Sequence, residues 1–398
     1  MNRTRTSKNA KRLLVWLLLL TMVFGLLPMA AFADEAVVEP VVEEPVQEPE
    51  SSSEPTEAPS EPTQEPETIP EPEQPGNADI TIEGDEEQPE DELDTAALVD
   101  YSGYQYSIVM VDCGRRYFSV TELNQIIDAA SENGMHYVML AFGNDGLRFL
   151  LDDMSIKAGD NSYYSSKVKT AIHNGNVAYD KAAGYSPASD ELTQYEMDQV
   201  LKHAGEQGVE IIPLLNNPGH MHTVISAMKE LGMSDFTFKC SDGTSSSTVD
   251  VTNADAIAFV QALVKKYVNY FSQRGCHFFN MGADEYGNDI VNINNQPTPR
   301  FNELLSQGGY GKYVEHLNAV AGIIKSYGMT PMAFNDGIYY NYSQTAGKYT
   351  IDKNIIVCYW SSGWGGYSVA SATNLNNAGF SLINTNGDYY WILGKNDK

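Results

Sequence analysis

Two carboxylates, Asp284 and Glu285, stand side by side in the stretch FFNMGADEYGND. Adjacent like charges each disfavour ionisation of the other, so such a pair sits easily only in water. Here it follows CHFFNMG, which reads as a strand buried on both faces. A pair of acids where a buried strand opens into a glycine-bearing loop is suited to proton transfer at a shifted pKa. A second cluster is aromatic: Trp360, Trp364 and Trp391, joined by Tyr389 and Tyr390. Any one of these tryptophans would ordinarily be core packing. Three beside acids and hydrogen-bonding groups fit a sugar, whose C–H faces stack while its hydroxyls bond at the rim. The HMH at His220–His222 has no third ligand of matching spacing, so neither a metal nor a cofactor is expected.

The elements that must position these residues follow a repeated grammar. Helical periodicity ends at a glycine, and a β-rich apolar run begins within one or two residues. VTELNQIIDAASENG leads into MHYVMLAF, with Ser119 and Glu122 at capping-box spacing. TQYEMDQVLKHAGEQG, with Thr193 and Glu196 likewise spaced, leads into VEIIPLL. The same unit recurs before CHFFNMG, MTPMAFND and FSLINT. A glycine just past a helix supplies the left-handed cap that turns the chain back into a strand. Strands alternating with helices imply right-handed βαβ units and a parallel sheet. With YSIVMVD and NIIVCYW the count is seven strands, an α/β fold of the TIM (β/α)8 type that stops before an eighth. Active sites of such barrels lie in the loops after the strands. Those loops read DCGRR, GNDGLR, NNPGH, GADEYGND, FND, YWSSGW and NTNGDYYW. No G-x-G-x-x-G or P-loop follows a strand, against nucleotide binding.

Residues 1–33 carry five basic residues, an apolar run and AFA before Asp34, the pattern of a signal peptide. The expectation is a secreted or cell-surface protein. No later run of ~18 apolar residues predicts a membrane span. Residues 34–100 hold 24 acidic residues and no Lys or Arg, a Pro/Glu/Ser-rich linker expected to stay disordered as a stalk or a solubilising spacer. The remaining 101–398 carry 20 basic and 29 acidic residues, a net of −9, with nothing to attract nucleic acid. Cys113, Cys240, Cys276 and Cys358 lie far apart, mostly in strand-like runs, and free thiols are expected.

Carboxylates in a sugar-sized site point to glycoside hydrolysis, which ordinarily needs the two acids ~5–9.5 Å apart across the bond. Sequence neighbours do not easily flank a sugar that way. They can serve where the 2-acetamido oxygen of the substrate is itself the nucleophile. MGADE resembles the H-x-G-[GA]-D-E signature of the family 20 glycoside hydrolases, with Asn280 where the family has His. VDCGRRYFS, IIPLLNNPGH and NIIVCYW resemble further motifs of that family, in the same order, with Asn216 where Asp is usual. Phe334 stands where many members carry a pocket tryptophan. GNDGLRFLLDDM and FNDGIYY look more like the branch of bacterial surface exo-N-acetylglucosaminidases and lacto-N-biosidases.

The resemblance implies a β-N-acetylhexosaminidase acting on a glycan with a terminal N-acetylhexosamine. Glu285 would be the general acid and base. Asp284 would hold the acetamide, and its ionised state would help keep Glu285 protonated. Tyr390, or Tyr389, would bond the acetamide oxygen. Arg115 would clamp distal hydroxyls, Asn144 and Asp145 would line the rim, and His220 would orient a carboxylate or be purely structural. Asp336, Trp360 and Trp391 complete the expected sugar contacts. Release of a disaccharide and a non-catalytic sugar-binding barrel are the alternatives. A family 18-like chitinase is disfavoured because D-x-x-D-x-D-x-E is absent. Family barrels continue to an eighth strand whose loop carries a further Trp and acid, so residues 101–398 alone are expected to be poorly soluble and nearly inactive.

Overall fold

Each of the seven apolar runs forms a strand of one sheet: β1 (Ile108–Val111), β2 (Tyr137–Asn144), β3 (Glu210–Asn217), β4 (Phe278–Gly282), β5 (Thr330–Phe334), β6 (Ile356–Tyr359) and β7 (Leu382–Asn384). Neighbours in the chain are neighbours in space and every pairing among them is parallel, the winding of a TIM-type barrel. A two-residue strand, β8 (Trp391–Ile392), also runs parallel to β1, with Met110 opposite Trp391. The outer edge of β1 is therefore partly paired, where seven strands alone would leave it bare. Among the described residues β7 pairs only with β6.

This computed structural model describes residues 107–185, 190–292, 294, 299–363, 367–385 and 391–392. The leader, the acidic tract, Trp364, Tyr389, Tyr390 and the side chain of Trp391 lie outside the described residues.

Among the helices are α1 (Val120–Glu132), α2 (Ser165–Ala182), α3 (Gln194–Glu206), α4 (His222–Glu230), α5 (Ala254–Ser272), α6 (Tyr310–Ser326) and α7 (Ala372–Asn377). Both expected capping boxes form, Ser119 with Glu122 and Thr193 with Glu196. Gly208 and Gly275 have φ of 70° and 78°, the left-handed turn from helix to strand. Two layers of apolar side chains result. Met110, Met139, Ala141, Leu214, Phe278, Met332 and Phe334 fill the inside of the sheet. Leu123, Ile127, Val200, Phe259, Leu263, Leu317 and their neighbours bind the helices to its outside. Phe334 belongs to that inner layer and is buried. All four cysteines are free, three of them buried.

The helix–glycine–strand pattern gave no sign of α2 and α4. They fill the connections after β2 and β3 and pack along each other. Gly175 allows this contact, since a Cβ there would lie 2.6 Å from the carbonyl oxygen of Thr223. No helix among the described residues is long and apolar enough to cross a membrane.

Candidate active site

At the end of β4 the backbone turns sharply, with φ of 70° at Gly282, 67° at Ala283 and 49° at Glu285. Asp284 is thereby turned inward and is only 5% exposed. Asn216, from the end of β3, donates from Nδ2 to Asp284 Oδ1 at 2.7 Å and accepts the Ala283 N–H at 3.1 Å. These two bonds fix which way the Asn216 amide faces. Its Nδ2 also reaches Asn144 Oδ1 at 3.3 Å, and Asn144 donates to Asp112 Oδ2 at 2.9 Å. A row of side-chain hydrogen bonds thus crosses the top of the sheet from β1 to β4. Behind it Tyr313 of α6 donates its hydroxyl to the Ala283 carbonyl at 2.7 Å. Among the described residues Asp284 Oδ2 accepts no side-chain hydrogen bond; its nearest cation is His220 Nε2, at 3.8 Å.

Glu285 is held by a second row. His220 Nε2 lies 3.0 Å from Glu285 Oε2, while its Nδ1 faces Asp145 at 3.3 Å and Arg115 at 3.1 Å. Arg115 donates from Nε to Asp145 Oδ2 and from Nη1 to Asp112 Oδ2, both at 2.9 Å. Asp145, His220 and Glu285 have φ of 58°, 49° and 49°. None is glycine, so each costs roughly 1–3 kcal/mol of backbone strain. Three separate loops accept that strain, and their side chains converge on one line. The Asp145 N–H donating to the His220 carbonyl at 2.6 Å ties two of those loops together.

The electrostatics reverse one expectation. Burial disfavours a charged His220, but Asp145, Glu285 and Asp284 outweigh it and raise its pKa well above the usual range. Burial would raise Asp145, yet His220 and Arg115 pull it down. Burial would likewise raise Glu285, yet its bond to His220 and the charges of His220 and Arg115 lower it. Asp284 is raised, first by burial, with His220 opposing and Glu285 adding to it. In the free site, then, the two carboxyls shift in opposite directions: the more deeply buried Asp284 goes up, while Glu285, at hydrogen-bond distance from His220, goes down.

Not every expected sugar contact faces the mouth. Asn144 is buried within the row that leads to Asp284, not on a rim. Asp336 is wholly buried, accepting the Glu285 N–H at 2.7 Å and the Trp360 indole N–H at 3.0 Å. Trp360 lines a hollow of about 460 Å³ with Tyr359, Ser362, Ala372, Leu382 and Asn384. Asn280 points into the inner core, near Met139 Sδ and Cys358 Sγ, and its Oδ1 accepts the Gly282 N–H. His222 does not join His220 but meets the ring of Tyr179, 5.4 Å between centroids. Single ligand atoms of His220, Asp284 and Glu285 lie within 4.8 Å of one another, a spacing open to a divalent ion and equally to proton exchange. Asp112, Tyr313 and Asn335 were not foreseen; Asp112 and Asn335 had a local signal, their places in VDCGRR and in FND, and Tyr313 had none.

Comparisons with known proteins bear on the family of this chain. Residues 104–398 match the model of the Glycosyl hydrolase family 20 catalytic domain. A solved structure of the pneumococcal virulence factor StrH, reported for N-glycan recognition and hydrolysis, is similar at 40% identity and a TM-score of 0.67, covering 73% of this chain and 68% of that one. Among curated proteins, a lacto-N-biosidase of Bifidobacterium bifidum is 26% identical over 252 residues, 61% of this chain and 20% of that protein. A β-hexosaminidase of Vibrio furnissii is 21% identical over 310 residues, 74% of this chain and 45% of that protein. The chain thus spans about a fifth and somewhat under half the length of these two relatives. With its acid pair at the end of the fourth strand and a match running through the whole sheet, the chain belongs to glycosyl hydrolase family 20.

Proposed function

We propose that the chain is an exo-acting β-N-acetylhexosaminidase, working by substrate-assisted catalysis with retention of configuration. The observation that carries this is the division of labour within the acid pair. Asp284 is fixed through Oδ1 by Asn216 and keeps Oδ2 for a partner, while Glu285 alone is linked to His220 at hydrogen-bond distance. A bound acetamide N–H would take Oδ2, which turns its carbonyl oxygen toward the anomeric carbon and sets a carboxylate beside the developing oxazolinium charge. Glu285 and His220 hold one proton between them. Asp145 engages Nδ1, so exchange runs through Nε2, and the form with the proton on Glu285 is the productive acid. As the glycosidic bond breaks, that proton passes to the leaving oxygen. Glu285 then takes a proton from the water that opens the oxazolinium ring, which restores the proton it shares with His220, leaves Asp284 a carboxylate throughout and gives the β-anomer.

In the same reading Arg115 meets distal hydroxyls, Trp360 and Trp391 stack on the ring, and Tyr390, or Tyr389, bonds the acetamide oxygen. The leader-like residues 1–33 support export, and the acidic tract supports display on a stalk. Nitrophenyl β-N-acetylglucosaminide, β-N-acetylgalactosaminide, β-glucoside and lacto-N-bioside, assayed side by side, test this. The acetamido monosaccharides should release nitrophenol, the glucoside should not, and a thiazoline mimic of the cyclised intermediate should inhibit strongly. A covalent glycosyl adduct trapped on a carboxylate would refute the mechanism. Preferred release of lacto-N-biose would replace monosaccharide by disaccharide as the product.

A further inference from the structure

Asp336 closes the FND of β5, where a sugar ligand was expected, yet its side chain is 0% exposed. Each of its oxygens has one donor. Oδ2 takes the backbone N–H of Glu285 at 2.7 Å, and Oδ1 takes the indole N–H of Trp360 at 3.0 Å. Asn335 repeats the pattern one residue earlier. Its Oδ1 accepts the Trp360 N–H at 2.9 Å, and its Nδ2 donates to the Ser361 carbonyl at 2.7 Å. On the other side Gly337 lies against Tyr313, where a Cβ would come within 1.9 Å of the hydroxyl that holds Ala283. The Asn335–Gly337 turn is therefore gripped between the acid loop and the aromatic wall.

We propose that Asp336 is a positioning residue that couples the proton donor to the pocket wall from beneath, without touching the sugar. This rests on the function proposed above. Glu285 sits in a left-handed turn, and the bond from its N–H to Asp336 is what holds that turn in register with Trp360. An acid displaced by about an ångström loses much of its effect on a bond it must protonate in line. An asparagine at 336 has the same shape but only one acceptor oxygen. Its amide N–H₂ must then face either the Glu285 N–H or the Trp360 N–H, two donors head to head. Trp360→Phe removes one of those donors and keeps a ring. The two substitutions together should therefore be less harmful than the singles predict.

The test measures kcat and KM of the full chain and of Asp336→Asn, Trp360→Phe and the double variant, on an aryl β-N-acetylglucosaminide and on an unactivated oligosaccharide, with thermal melts as a folding check. Asp336→Asn should lose ~10-fold in kcat on the aryl substrate and ~100-fold on the unactivated one, since only the latter depends fully on protonation. Trp360→Phe should act mainly on KM, and the double variant should stay within ~3-fold of Trp360→Phe in kcat. If Asp336→Asn does not melt cooperatively, the comparison of the double variant with Trp360→Phe decides alone. A double variant ~10-fold or more below Trp360→Phe, or equal losses on both leaving groups, would make Asp336 a sugar ligand and overturn the proposal. A folded Asp336→Asn as active as the wild type would overturn it too, with the glycosidase reading intact. A wild type inactive on both substrates would remove that reading, and the positioning role with it.

Discussion

Acid should weaken this fold through one buried histidine. His316, on α6, is buried, and burial pushes its pKa down to about 4. Its tautomer follows from its neighbour. Asn217 donates from Nδ2 to the carbonyls of Leu215 and Met281, at 2.9 and 3.1 Å, so its Oδ1 faces His316 Nε2 at 2.8 Å. Nε2 therefore carries the hydrogen, and the ring is neutral. In the unfolded chain the same ring takes a proton near pH 6.5. The folded pKa is depressed for a histidine, so the stability is fully present above ~6.5 and is lost as pH falls toward about 4. One proton bound only by the unfolded state costs about 2 kcal/mol at pH 5, nearing ~3 kcal/mol where the folded form begins to titrate. His316→Gln removes the titration and keeps a donor for Asn217. Urea unfolding of wild type and variant at pH 7 and pH 5 reads the effect directly, because every other titrating group is common to both. The wild type should lose about 2 kcal/mol more than the variant over that interval. Equal losses in the two proteins would refute the assignment of His316 as a buried neutral ring.

Three further outcomes are expected. Glu285→Gln cannot donate a proton and should lower kcat on an unactivated substrate by ~10²–10⁴, with a smaller loss on an activated aryl glycoside; equal losses would remove Glu285 as the acid. Asp145→Asn takes away a charge that raises His220, so His220 should release its proton at lower pH and the alkaline limb of the kcat/KM profile should move down; an unmoved limb would exclude His220 from the proton relay. Gly337→Ala would place a Cβ 1.9 Å from the Tyr313 hydroxyl and 2.9 Å from the Ala283 carbonyl, and should cost ~1–3 kcal/mol in a melt as that turn is pushed away from β4.

Much of the fold was written locally. The seven strands were legible because each is a short apolar run and five of them are launched by a helix cap, and capping boxes and glycine turns are chemistry between residues a few positions apart. Asp284, Glu285, Arg115 and His220 were legible as candidates because loops after parallel strands are where such residues converge. What each of them does was not. Asp145, His220 and Glu285 lie on three different loops, and no residue type in those loops announces the left-handed backbone that aims them together. Asn144 and Asp336 have the composition of sugar ligands, and only packing shows that both are buried, each within a network of hydrogen bonds. The opposite shifts within the pair are likewise a property of burial and distance. His220 is 65 positions from Glu285 in the chain, yet 3.0 Å from its carboxylate and 3.8 Å from that of Asp284. Periodicity and turn chemistry act over neighbours in sequence and can be read there; charge, burial and strain act through space, and only the folded chain sets those distances.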